Sequence, residues 1–116
     1  MDSSFWVPKK NRAAYLRMAR LGGKVWRSHG ALDYKECAGD DLKVKFGRSF
    51  PRVLRAKPGE MVFFSYIVFK SRKHRDRVNA KVMKDPIMND PQYTGKSMPF
   101  DMKRMVTGGF KTIVEA

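Results

Sequence analysis

The chain has 116 residues, 42% of them hydrophobic, which suits one domain with a packed core rather than a disordered chain. Its longest apolar run, nine residues over 61–69, is far short of the ~20 that a membrane-spanning helix needs. No secretory signal is visible and the single cysteine, Cys37, has no internal disulfide partner, so a cytoplasmic protein is expected.

The net charge of +14 comes from 25 Lys and Arg against 11 Asp and Glu. Residues 1–58 carry 14 bases and 5 acids, and residues 59–116 carry 11 and 6. No single tail accounts for the excess, so it belongs to the folded surface, where it attracts polyanions without a specific site.

In chain order, residues 3–7 are short, β-branched and aromatic and end at Pro8, which predicts a first strand. Pro8 then opens a helix over 9–29 that stops at Gly30. Helical spacing puts Ala14, Met18, Leu21 and Val25 on one side, with Tyr15 and Trp26 at its flank. Lys10, Arg17, Arg20, Lys24 and Arg27 form a basic stripe on the other side.

Residues 31–39 read as a second strand, 40–47 as a connection and 48–56 as an edge strand that tolerates Pro51. The Pro58-Gly59 turn leads into 61–69, apolar at nearly every position and so expected to be buried on both faces. Ser71 caps a second helix over 72–84, closed by Asp85-Pro86. Residues 89–97 are loop, and 104–115 a last strand whose Gly108-Gly109 suggests a bulge or a close backbone approach.

The order strand, helix, strands, helix, strand predicts an α+β domain over 1–116. It is a ferredoxin-like split β-α-β protomer, with an antiparallel sheet and two helices on one face. A doubly apolar central strand then needs a cover on its other face. A second copy is the economical one, giving a homodimer with sheet packed on sheet, a dimeric α+β barrel.

Four segments, "VPKKNRAAYLRMA", "GALDYKECAGDD", "HRDRVNAKVMKDP" and above all "MPFDMKRMVTGGF", resemble the YbaA-like family of small bacterial proteins. That family is a domain of unknown function grouped by fold with the dimeric α+β barrels. The resemblance runs over nearly the whole chain. It implies a dimer and a pocket between sheet and helices, but no reaction, because fold does not fix function. Met102 stands where the family favours Gly, and "LKVKFG" where it favours a Pro/Asp/Gly-containing turn; both put bulk or positive charge beside the loops that border such a pocket.

Several residues are candidates for chemistry. Arg75 and Asn79 share a helix face with Val78 and Val82, and the inward guanidinium and amide require partners, for which Asp40, Asp41 and Asp101 are available. Such a cluster either binds the carboxylate of a small ligand or ties helix to loop as a structural ion pair. Asp40-Asp41 equally suits turn chemistry. His29 is either a general base for a pocket ligand or a complement to its helix C-terminus. His74 is expected to be solvated, and Cys37 to be a small core residue.

Asp101, Lys103 and Arg104 cluster where a loop enters the sheet, while Pro99 and Phe100 anchor the approach to the last strand. No His or Cys pair has metal spacing and no Gly-rich phosphate loop precedes a helix, so no metal or cofactor is expected. The reading is a homodimer that binds a small organic, anionic ligand, with cofactor-independent catalysis unmarked by any motif. The competing reading is a nonspecific RNA- or DNA-binding module using the basic stripe.

Overall fold

A computed structural model describes residues 2–89 and 102–116. Asp101, Pro99, Phe100 and the expected loop beyond Asn89 lie outside the described residues. The elements are β1 (Asp2–Pro8), a 3-10 turn (Lys9–Asn11), α1 (Arg12–Ser28), β2 (Asp33–Ala38), α2 (Phe50–Val53), β3 (Glu60–Val68), α3 (Arg72–Met83), a second 3-10 turn (Met102–Arg104) and β4 (Val106–Gly108). The architecture is α+β: a four-stranded sheet in the order β2-β3-β1-β4, with every neighbouring pair antiparallel.

The helix ends follow their sequence signals. Pro8 closes β1, and α1 stops where Gly30 takes a φ of 112°, a conformation that glycine adopts without steric cost. Ser71 Oγ accepts the His74 N–H at 3.1 Å, an N-cap for α3. The His74 ring joins the same cap, its Nδ1 accepting the Lys70 N–H at 2.8 Å, so this histidine is tied to backbone rather than solvated.

Strand register decides which residues face the helices. Phe5 pairs with Phe63 and Val7 with Met61, while Tyr34 pairs with Ile67 and Glu36 with Ser65. Phe5, Val7 and Phe63 pack against Tyr15 and Ala19 of α1. Further along, Val25 of α1 and Val78 and Val82 of α3 close a second cluster against Ile67. Both helices therefore cover one face of the sheet. The buried stripe of α1 is Tyr15, Ala19, Gly22 and Val25. That differs from the expected Ala14, Met18, Leu21 and Val25: Ala14 is exposed and only Val25 is shared. Glycine carries no side chain to register in an apolar periodicity, and Tyr15 enters the core with its ring.

The opposite face corrects two more expectations. Residues 48–56 do not form an edge strand. Ser49 Oγ accepts the Arg52 N–H at 3.3 Å and Pro51 sits in the first turn, where its missing N–H is not needed, so the segment folds as α2. Leu54, with Leu42 and Ala56, then covers Trp6 and Val62. Beyond that cover the second face of β3 is open in the single chain: Phe64 remains 39% and Val68 40% exposed. Cys37, paired with Phe64 on edge strand β2, is exposed and is not a core residue.

The last strand is also much shorter than 104–115. Only Val106–Gly108 pairs, with Gly108 opposite Asp2, and no described residue of β1 extends past that point to hold the tail.

Candidate functional site

The groove between α1 and β2 is where the sequence concentrates unusual chemistry. Its volume is about 680 Å3, and its walls include Arg20, Gly23, Lys24 and Arg27 from α1 and Tyr34 and Glu36 from β2. Because β2 is an edge strand, the groove opens along the side of the sheet. Alternation along β2 turns Tyr34 and Glu36 toward α1, and two consecutive glycines let the helix backbone come close to them. A Cβ on Gly23 would stand 2.9 Å from Tyr34 Cδ1, and one on Gly22 would stand 3.3 Å from the Tyr34 hydroxyl. Glycine in a helix interior costs about 1 kcal/mol against alanine, so the pair is explained by this close approach.

At the floor lies Glu36. The Tyr15 hydroxyl donates to one carboxylate oxygen at 2.5 Å and the Tyr34 hydroxyl to the other at 2.8 Å. Burial pushes the Glu36 pKa up, and the two phenol hydrogen bonds oppose that shift without cancelling it. Burial likewise raises both phenols, reinforced by the neighbouring carboxylate, so Tyr15 and Tyr34 remain protonated donors. Trp26 lies beside this cluster, its ring centroid 6.4 Å from that of Tyr34.

The cations around Glu36 are not used to neutralise it. Lys35 pairs with Asp33 at 2.5 Å, and that contact is the main cause of the lowered Asp33 pKa. Arg27 donates to the carbonyls of Ala31, at 3.0 Å, and Leu32, beyond the end of α1. Arg20 and Lys24 are exposed and make no ion pair among the described residues. The groove thus combines two uncommitted cations at its rim with a carboxylate already satisfied by hydroxyls.

The site residues expected from sequence are dispersed instead. His29 Nε2 contacts Asp85 at 2.7 Å, tying the end of α1 to the end of α3 and lowering the Asp85 pKa. Asn79 accepts the Trp26 indole N–H at 3.2 Å, a second link between the helices. Arg75 pairs with Asp76 at 3.0 Å, and not with Asp40 or Asp41, which lie exposed after β2. Arg104 is on the far face of the sheet: its guanidinium carbon sits 3.6 Å from the Trp6 ring centroid. It also donates to the carbonyls of Leu54, at 3.1 Å, and Arg55, and lies 3.5 Å from Glu60. Arg104 thus clamps the end of α2 to the sheet.

Of the basic stripe, Lys10, Arg17, Arg20, Lys24 and Arg27 are all exposed, and the last three also line the groove. Glu36, Tyr34 and Tyr15 were not among the sequence candidates. The available signal was "GG" inside an otherwise continuous helical pattern, which marks a close contact partner. Among the described residues no group of three or more His, Cys, Asp or Glu is placed to hold a metal ion, and no helix is long and apolar enough to cross a membrane.

Comparison with known proteins places this geometry in a family context. Residues 4–102 match the family model described as "Protein of unknown function (DUF1428)". The chain is 38% identical over 109 residues to the uncharacterized protein YbaA of Escherichia coli strain K12, covering 94% of this chain and 91% of that protein. The same identity and coverage hold for the YbaA proteins of Escherichia coli O157:H7 and Shigella flexneri. With most of its length matched by the family model and by these relatives, the chain belongs to the DUF1428 family, that of YbaA.

Proposed function

We propose that this protein binds a small organic anion in the α1–β2 groove, as a homodimer of ferredoxin-like protomers assembled as an α+β barrel. The observation that carries the reading is the separation of charges in the groove. Glu36 is held by Tyr15 and Tyr34, while Arg20 and Lys24 lie uncommitted on the same wall. An anionic group would meet the two cations. A hydroxyl or amine on the same molecule would meet Glu36, and the Tyr34 ring and the Leu16 side chain would flank an apolar body. The strand order β2-β3-β1-β4 and the open patch around Phe64 support the protomer and dimer parts of the reading.

The test uses 8-anilinonaphthalene-1-sulfonate, an organic anion whose emission reports binding. Replacing Arg20 and Lys24 together with alanine should weaken binding tenfold or more, since a hydrogen bond to a charged group contributes about 1.5–3 kcal/mol. Unchanged affinity in the double variant would defeat the reading.

A second reading, nonspecific RNA or DNA binding, is favoured by one observation: all five stripe cations are solvent-exposed, four on α1 and Lys10 in the 3-10 turn before it. If they met five phosphates, log affinity would fall with log salt at a slope of about −3.5 to −4.5. Lys10 and Arg17 do not line the groove, so replacing them with Glu separates the readings. The change should damage polyanion binding and leave the organic anion bound.

A further inference from the structure

The segment after β4 has no regular structure of its own. Residues 109–116, "GFKTIVEA", form no strand, helix or turn, yet Phe110, Ile113 and Val114 are 81%, 88% and 80% exposed. Three large apolar side chains on one short solvated arm are unusual for a monomer surface, where contiguous apolar patches are small. The arm contains one lysine and one glutamate, so it can approach a +14 molecule without adding to the repulsion.

On the other side of the account is an uncovered surface. The sheet face away from α1 and α3 has one half closed by Leu54, Leu42 and Ala56 over Trp6 and Val62. The other half presents Phe64 and Val68, with exposed Val106 on β4. Next to Phe64 lies an apolar hollow of about 250 Å3 whose walls include Cys37, Leu42, Phe50 and Val62. Two such half-open faces brought together leave less area than two complete sheets would. A stable dimer buries about 800 Å2 on each partner.

We propose that the arm 110–116 of one copy docks across the open sheet face of a second copy, with an apolar arm side chain entering the hollow beside Cys37. The exchange is reciprocal, as twofold symmetry requires. An extended arm of this length reaches about 25 Å, whereas a four-stranded sheet is about 15 Å across at its strand spacing. The arm does not serve its own sheet face. It starts against the helix side, where a Cβ on Gly109 would meet Arg75 Nη1 at 2.9 Å, and its apolar side chains stay solvated in the protomer.

The proposal rests on the dimer proposed above, and the experiment separates the two. Sedimentation over a concentration series would compare the full chain with a chain ended at Gly109. Amide hydrogen exchange of the full chain would be followed over the same range. The expected result is a dimer whose dissociation constant rises at least tenfold without the arm, and arm amides protected in the dimer but exchanging freely on dilution. A shortened chain that dimerises as tightly as the full chain overturns the arm and leaves the dimer standing. A full chain that remains monomeric at high concentration overturns both. Arm amides protected equally in the monomer overturn the exchange, because the arm then packs on its own chain.

Discussion

The Tyr15 hydroxyl reaches Glu36 at 2.5 Å from a ring that is itself in the core, packed 4.8 Å from Phe63 and 5.4 Å from Phe5 between centroids. One residue therefore joins the hydrophobic cluster under α1 to the groove-floor carboxylate, Glu36, that bonds to two phenols. Replacing Tyr15 by Phe keeps the ring packing and removes one donor. It should lower stability by about 1–2 kcal/mol, the worth of a hydrogen bond to a charged group in a half-buried setting. The same change should raise the Glu36 pKa further, which carboxyl NMR titration would follow.

Glu36 also sets a pH dependence whose sign can be worked out. Its folded pKa lies above the ordinary 4.5 because burial disfavours the ionised form. Its contribution to stability is then complete below about 4.5 and is lost as pH rises through the folded value. Glu36→Gln should remove that loss. Urea unfolding at intervals from pH 4 to 8 should show the variant gaining on the wild type as pH increases.

Asp85 has the opposite sign. The His29 contact holds its carboxyl below the ordinary 3.8, so its contribution is present above that value and is lost as pH falls through the folded one. Asp85→Asn should shift the midpoint of acid unfolding to higher pH. Circular dichroism along an acid titration would read the shift.

Gly23→Ala tests the close approach of helix and strand. Helix propensity alone would add about 1 kcal/mol of stability. The new Cβ would stand 2.9 Å from the Tyr34 ring, and overpacking of this kind costs about 1–3 kcal/mol. The expected result is a net loss of about 1 kcal/mol with a displaced Tyr34 ring, visible in its aromatic NMR shifts.

Arg104→Ala should behave as a structural lesion. It removes the cation over Trp6, frees the Leu54 and Arg55 carbonyls and leaves Glu60 without that partner. A loss of about 2–4 kcal/mol is expected, while anion affinity at the groove stays unchanged under conditions where the variant is folded. Thermal unfolding followed by tryptophan emission would check the first point, and titration of the folded variant with 8-anilinonaphthalene-1-sulfonate the second.

The elements that could be read from the sequence were those with local punctuation: Pro8 at the end of β1, Gly30 after α1 and Ser71 before α3. The failures had physical causes of a different kind. Ser49 with Pro51 is a helix start, but Val53, Leu54 and Ala56 made the same stretch look like a strand. Cys37 looked internal because nothing in its neighbourhood says that β2 is an edge strand; that is set by β3 pairing with β1 on its other side. Glu36 escaped notice for the same reason. Its partner Tyr15 is 21 residues away and meets it only after α1 crosses the sheet. Charge suggested the sign of the proposed ligand, and packing was needed to propose its place.

The most direct test of the groove is native mass spectrometry of protein purified at moderate salt without nuclease, run in parallel on the Arg20→Ala, Lys24→Ala double variant. The account predicts a discrete small-molecule adduct on the wild type, absent or strongly reduced on the variant. An adduct retained in full by the variant, or a heterogeneous nucleic-acid mass stripped by high salt, would contradict it.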